Sequence, residues 1–283
     1  MSDYENFEEA DRPRSHALLI VLLLILLGVT AFVAWVNFAK PKQFLAWRDA
    51  TLQKLNIQNP FEVQDELIVD PDKIPDGIRK NDHKICSALD QLGAIVIRDS
   101  LTRMGSVVHL NAETNSDETM KLVGKLLYLN AINAVDANVT DAQAAHWESL
   151  QHLTSLNVQG NPLTSKSLPS IAAMKEIDGL YLENTQISGE GLSAILELPH
   201  VKILNLSGCR LTDADMKVLG QMKSLHWILI QNMNLTDAAL PAFLEMPNLK
   251  TITIKEGNQI SQEAADRFMK DFTEKNGTRI DVN

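Results

Sequence analysis

From residue 107 onward the apolar positions of this chain recur in one phase, and the phase is 24 residues long. The cycle is plainest at Val201, Leu204, Leu206, Leu211, Met216, Leu219 and Met222, after which it restarts at Leu225. A comb of hydroxyl side chains marks the same beat: Ser116, Thr140, Thr164, Ser188, Thr212 and Thr236 stand 24 residues apart, and Ser261 follows after 25. The two halves of a cycle have different hydrophobic periods. Leu204-Asn205-Leu206 alternates apolar with polar, which predicts a short strand with one face inward. Gly160, Asn184, Gly208 and Asn232 then occupy a turn position, and these are residue types that tolerate positive φ. The Ser/Thr that follows is placed to cap a helix, with Thr140-Asp141-Ala142-Gln143 matching a capping box. Met216, Leu219 and Met222 give that helix an inward stripe, and Pro199 and Pro247 stand near the expected helix ends.

One strand–helix unit of this size cannot bury its own apolar face, whereas stacked units share a continuous core. The pattern therefore predicts an α/β solenoid with parallel strands on a concave face and short helices on a convex one. Eight parallel strands are expected, near 107–111, 131–135, 155–159, 179–183, 203–207, 227–231, 251–255 and 279–282. They make about seven repeats and a closing strand over 107–283. Terminal units need caps. Residues 79–106 supply the amino-terminal one, with an amphipathic helix carrying Ile85, Ala88, Leu89 and Leu92 ahead of a strand Ile95-Val96-Ile97.

A fixed period in this range with aliphatic residues in the strand phase is the pattern of leucine-rich repeats. From about residue 82 to the end the chain resembles the leucine-rich-repeat proteins abundant in planctomycete-type bacteria. The resemblance rests on a helix, the segment Leu92-Gly93-Ala94-Ile95-Val96-Ile97-Arg98-Asp99, a hairpin, and units such as Leu182-Glu183-Asn184-Thr185-Gln186-Ile187-Ser188 and Leu211-Thr212-Asp213-Ala214-Asp215-Met216. It implies a fold and at most a binding class, and it carries no catalytic motif across. The position filled by asparagine in many leucine-rich repeats holds Ala137, Asn161, Thr185, Cys209 and Met233, so a buried asparagine ladder is not expected.

The second long apolar feature is residues 17–39, where Ala17 to Val36 contains no charged side chain. Twenty residues at 1.5 Å each reach about 30 Å, enough to span a bilayer. A single transmembrane helix is expected there, behind an acidic tail at 1–16; a cleaved signal peptide is the alternative. Trp35 and Trp47 stand near its outgoing end, as interfacial aromatics do. Arg12 and Arg14 before the span oppose Lys40, Lys42, Arg48 and Lys54 after it, so counting positive charges puts the solenoid inside. The shortness of the amino-terminal tail argues for an exported solenoid, and the balance leans slightly that way with the side left open. Residues 40–78, with Pro41, Pro60, Pro71 and Pro75 and few periodic apolar positions, read as a juxtamembrane linker or stalk.

Composition narrows the partners. The net charge is −10 and no Lys/Arg-rich block is present, which argues against nucleic acid. Reaction chemistry is hard to find. The seven histidines form no metal-ligand spacing, there is no phosphate-cradling glycine loop, and no nucleophile elbow is present, so no enzyme, metal or cofactor is expected. Cys86 and Cys209 are separated by several repeats, on the order of 20 Å with strands about 4.8 Å apart, and should not pair. Asp213 and Asp215 are explained by the first turn of a helix, where negative charge is favourable.

What the repeat offers is a mappable surface, because residues flanking the inward strand positions face outward. On the middle strands that surface carries Tyr181, Ile203, Trp227 and Leu229, a cluster of large apolar side chains, with Glu183, Asn205, Gln231 and Lys255 as its polar rim. Tyr and Trp are favoured anchors in binding hot spots. The expected function is a membrane-tethered, non-catalytic recognition or scaffolding module that binds a protein or peptide through this face. The alternative is a structural cell-envelope protein that acts as a spacer or by self-association.

Overall fold

The apolar residue at the centre of each strand points into one core. Val108, Ile132, Leu156, Leu180, Leu204, Ile228, Ile252 and Val282 stand in register across successive strands, and all are buried. The structure is a computed structural model in which residues 74–98 and 104–283 are described, all within one compact unit, Leu67–Asn283. The acidic tail, the transmembrane expectation for 17–39 and most of the linker lie outside the described residues. Among those described, no helix is long and apolar enough to cross a membrane.

The chain begins with helix α1 (Asp76–Gln91), three residues ahead of the expected cap, and a hairpin of β1 (Ile95–Arg98) and β2 (Gly105–His109). Seven short strands follow: β3 (Ala131–Asn133), β4 (Ser155–Asn157), β5 (Gly179–Tyr181), β6 (Ile203–Asn205), β7 (Trp227–Leu229), β8 (Thr251–Thr253) and β9 (Asp281–Val282). They lie in sequence order in one nine-stranded sheet, parallel from β2 to β9, as the 24-residue period predicts. The strands are shorter than the five residues expected. The chain leaves the ladder at the third outward residue, although Asp136, Gly160, Asn184 and Gly208 still donate their N–H groups to the next coil's Gln159, Glu183, Ser207 and Gln231 carbonyls.

On the other side of the core the helical segments are α2 (Asp117–Val123), α3 (Asp141–Ala144), α4 (Leu168–Ala172), α5 (Met216–Leu219) and the long α6 (Gln262–Asn276). The helical segments at Leu192–Glu197 and Asp237–Phe243 are 3₁₀ rather than α, the latter containing Pro241. Proline has no N–H for an α-helical bond, which favours the tighter form. A column of one core position from every coil, Val123, Trp147, Ile171, Ile195, Leu219, Phe243 and Phe268, is buried throughout.

The hydroxyl comb does more than cap helices. Ser116 and Ser261 accept helical N–H groups as expected, but the comb's main bonds run between coils. Asp141 accepts both the N–H (2.8 Å) and the hydroxyl (2.6 Å) of Thr164 in the next coil. Asp213 does the same for Thr236, at 2.9 and 2.6 Å, and Asp237 for Ser261, at 2.7 and 2.8 Å. Where Gly189 replaces the acid, Thr212 donates both groups to Asp215 of its own coil, each at 2.8 Å. Asp213 and Asp215 are thus explained by these staples rather than by a helix dipole, which corrects the sequence reading. Removing the Asp141 carboxylate strands a backbone N–H and a hydroxyl, so Asp141→Ala should lower unfolding free energy in urea by about 1–2 kcal/mol, with Asp141→Asn losing less.

The turn residues behave as their types suggest and add a second periodicity. Asp136, Gly160, Asn184, Gly208, Asn232 and Gly257 all have positive φ, between 51° and 71°. They alternate between Asp/Asn and Gly because a side-chain oxygen of one coil occupies the space of the next coil's missing Cβ. A Cβ at Gly160 would lie 1.8 Å from Asp136 Oδ1, and one at Gly208 2.2 Å from Asn184 Oδ1. Two asparagine amides, Asn161 buried and Asn258 partly buried, also bridge coils. Asn161 donates to the carbonyls of Ala134 and Val158, both at 2.7 Å, and accepts from Val139 N–H. Asn258 accepts from Met233 and Leu235 N–H and donates to the Ile230 carbonyl. The expectation that no asparagine ladder forms holds for Thr185 and Cys209 but misses Asn258, which a one-residue insertion at Glu256 moves out of the 24-residue phase.

The amino-terminal cap hides an acid that periodicity did not single out. Asp82 on α1 is buried; its Oδ1 accepts Gly105 N–H at 2.9 Å and the Cys86 thiol at 3.3 Å, and its Oδ2 has no hydrogen-bond partner. Burial pushes the Asp82 carboxyl above its ordinary 3.8, the bond from Gly105 opposing. Its favourable contribution is therefore complete below pH 3.8 and is lost as pH rises through the raised value. Asp82→Asn keeps an acceptor for Gly105 and does not titrate, so urea midpoints should shift in the variant's favour as pH rises from 4 to 7. Asp237 and Glu245 run the other way. Bonds from Ser261 and from Lys275 hold their carboxyls low, so their contributions are present at neutral pH and fade as pH falls through the depressed values. Cys86 and Cys209 are both free and buried, with the Cys86 thiol pushed up to about 12 by burial and by Asp82.

Candidate functional site

The open face of the sheet is built from two outward columns whose membership follows from the strand register. One runs Val107, Ala131, Ser155, Gly179, Ile203, Trp227 and Thr251; the other runs His109, Asn133, Asn157, Tyr181, Asn205, Leu229 and Thr253. Small residues at Ala131, Ser155 and Gly179 make the first strands shallow. Large ones begin at β5.

Of the four large apolar residues expected on this face, Trp227 is the exposed one, at 36%, while Tyr181, Ile203 and Leu229 are half-buried. Tyr181 does not stand straight up from its own column. Its ring leans back over Gly179, where a Cβ would meet Cε2 at 3.1 Å. The tyrosine thereby fills the vacant place beside Ile203, and Ile203 pairs with Trp227. The result is an apolar row across β5, β6 and β7, with Leu229 two residues along from Trp227. Burial and the nearby Asp178 push the Tyr181 hydroxyl up, so it stays protonated. The Trp227 indole is held in place, its Nε1–H donating to Thr253 Oγ1 at 3.0 Å.

The rim residues separate into two groups. Asn205 is buried, which corrects its expected place at an accessible rim: its amide donates to Glu183 Oε2 at 2.8 Å, and its Oδ1 accepts Ser207 N–H at 3.0 Å. Glu183 also accepts from Gln159 Nε2 at 3.2 Å, so the carboxylate is tied down between its neighbours. Gln231 donates to Glu256 Oε2 at 3.0 Å and Lys255 to Gln262 Oε1 at 3.1 Å. On the other flank Lys202 pairs with Asp178 at 3.2 Å. Gly179 and Thr253 were not singled out in the sequence. Their signal was a glycine in an outward strand position and a hydroxyl one coil beyond an exposed tryptophan. Among the described residues no group of three or more His, Cys, Asp or Glu side chains is placed to hold a metal ion.

Fold and repeat together have the form of a leucine-rich-repeat solenoid. Residues 149–172 and 197–220 match the Leucine Rich repeat family. Among solved structures the chain is similar to an internalin, InlF, of Listeria monocytogenes strain 4b F2365, at 16% identity and a TM-score of 0.44, over 55% of this chain and 51% of that one. It is also similar to a TDR receptor at 16% identity and a TM-score of 0.39, over 50% of this chain and 24% of that one. The chain thus spans about half the length of the internalin and about a quarter of the receptor. No curated protein matches the sequence.

Proposed function

We propose that this protein is a non-catalytic recognition or scaffolding module that binds a protein or peptide through the open face of its sheet, tethered to a membrane by residues 17–39. The observation that carries the reading is the apolar row from Tyr181 through Ile203 to Trp227, with the indole exposed yet fixed by Thr253. A rigid aromatic with little freedom left to lose is the kind of side chain that serves as an interface anchor. The rest of the face supports the same reading, because Glu183, Gln231 and Lys255 are already ordered by neighbours and present a preformed polar border.

The test is a paired comparison. The double variant Trp227→Ala with Tyr181→Ala should keep the parent's unfolding free energy in urea to within about 1–1.5 kcal/mol, since the indole lies at the surface. It should lose the cross-linked partner that the parent captures in its native cells. Unchanged capture by a folded double variant would overturn the proposal. Strictly concentration-dependent sedimentation of the parent, with no heterologous partner, would favour the structural, self-associating alternative. Protease added to intact cells tests the exported orientation: digestion of the repeats before lysis supports it, and protection until lysis reverses it.

A further inference from the structure

The backbone redraws one border of the open face. Gly160, Asn184, Gly208 and Asn232 each donate a backbone N–H into the next coil, and the acceptors are the carbonyls of Glu183, Ser207, Gln231 and Glu256. By period the last of these places belongs to Lys255. The inserted residue gives it to Glu256, and the Lys255 ammonium turns to Gln262 Oε1 at the start of α6, 3.1 Å away. An acid thus stands in the border where the 24-residue phase puts a base. Both border carboxylates are held by neutral amides. Glu183 Oε2 accepts from Gln159 Nε2 at 3.2 Å and from Asn205 Nδ2 at 2.8 Å, and Glu256 Oε2 accepts from Gln231 Nε2 at 3.0 Å. No described cation pairs with either. The opposite border runs Asp178, Lys202, His226 and Lys250, and there the acid is paired with Lys202 at 3.2 Å.

We infer that the partner of this face is an extended peptide segment with two basic side chains, four residues apart, that meet Glu183 and Glu256 while apolar side chains between them pack on the row from Tyr181 to Trp227. The inference rests on the proposed use of that face and names the chemistry of what it binds. A carboxylate fixed by amides keeps its whole charge and has its orientation already set. An arginine or lysine therefore gains a charge-assisted hydrogen bond without first ordering the acid. Glu183 takes both of its amides on Oε2, which leaves Oε1 for such a donor. Spacing fixes the pattern. β5 and β8 are three strands apart, on the order of 14 Å at about 4.8 Å per step. In an extended chain, residues i and i+4 point the same way and lie about 13 Å apart. Residues i+1 and i+3 then point the other way, across the sheet towards the apolar row. An acidic segment would meet like charge at both border carboxylates, and the net charge of −10 opposes its approach.

Peptide titration against the full chain in detergent, read by fluorescence anisotropy, tests this. The probe carries two arginines four residues apart, each with a leucine on its inner side. One comparison peptide has glutamates in place of the arginines, and the other has the probe's composition with the arginines adjacent. The parent should bind the probe at least about tenfold more tightly than either, and the affinity should weaken with rising salt. Glu183→Gln with Glu256→Gln keeps an acceptor for each amide, and should lose that preference together with most of the salt dependence. Glu197→Gln, on the helical side, should change neither. Equal binding of the probe and its adjacent-arginine isomer would reduce the effect to general attraction by an acidic chain and overturns the inference. A preference that survives in the double Gln variant overturns it as well. Capture of the native partner separates this inference from the reading beneath it. A partner lost from the Trp227→Ala, Tyr181→Ala variant but held undiminished by the double Gln variant leaves the face in use and the inference wrong. A partner held by both variants removes the face itself, and the inference with it.

Discussion

Replacing Trp147 by Ala is expected to remove about 3–5 kcal/mol of unfolding free energy, one of the two largest effects of any single substitution considered. The side chain is fully buried and belongs to the core column that runs from Val123 to Phe268. A solenoid is stabilised mainly by contacts between adjacent units, so a cavity at Trp147 weakens the second coil's grip on the first and third at once. The helical side that carries it is thin, the four-residue α3 running on into a single 3₁₀ turn, Ala145–Trp147, and has little capacity to collapse into the hole. The loss should not be uniform. The amino-terminal cap and first two coils would unfold ahead of the rest, so the urea transition should broaden, with a lower slope as well as a lower midpoint. Trp147→Phe separates volume from polarity. The indole N–H of Trp147 has no hydrogen-bond partner, and phenylalanine removes that orphan donor while keeping most of the ring. Its cost should stay below about 1.5 kcal/mol. A Phe variant as damaged as the Ala variant would mean that shape at this position matters more than the filled volume.

Trp147 also illustrates what the sequence made legible. Its phase alone places it in the core, because any residue 24 positions from Val123 and Ile171 must point the same way. The same logic gave the strand register, the positive-φ residues at Gly160, Asn184, Gly208 and Asn232, and the outward position of Trp227. Period arithmetic fails where a residue's partner lies in the next coil. Asp213 reads locally as an acid near a helix start, and nothing in its own coil shows that it receives Thr236. Asn205 reads as an outward polar residue and is buried, its amide bonded to Glu183, 22 positions away. Asn258 escapes because Glu256 lengthens its coil by one residue. Gly179 looks like a gap in the binding face until the Tyr181 ring is seen to fill it. Asp82 lies outside the repeats altogether, where no phase exists to flag it.

The second large effect turns on a methyl group whose sign depends on its place. In a helix, Gly→Ala ordinarily stabilises by roughly 0.5–1 kcal/mol, through the unfolded chain's lost freedom and helix propensity. Gly77→Ala in the first turn of α1 should do so, since nothing lies within 4 Å of the added Cβ. Gly220→Ala should do the reverse. Gly220 ends α5 with an ordinary helical φ of −59°, so backbone strain is not the issue; space is. A Cβ there would stand 2.1 Å from the carbonyl oxygen of Ala242 in the next coil. That oxygen is backbone, and relief requires the two coils to part by about an ångström along a core packed at crystal-like density. Overpacking of this kind costs typically 1–3 kcal/mol, occasionally more, and here it is added to the loss of contact between Leu219 and its neighbours. Gly220→Ala is therefore expected to lower unfolding free energy by about 3 kcal/mol, while Gly77→Ala raises it. Urea midpoints of the two variants measured side by side decide the matter. If Gly220→Ala proved neutral, adjacent coils would be free to slide apart, and the rigid, preformed face on which the binding proposal depends would have lost its support.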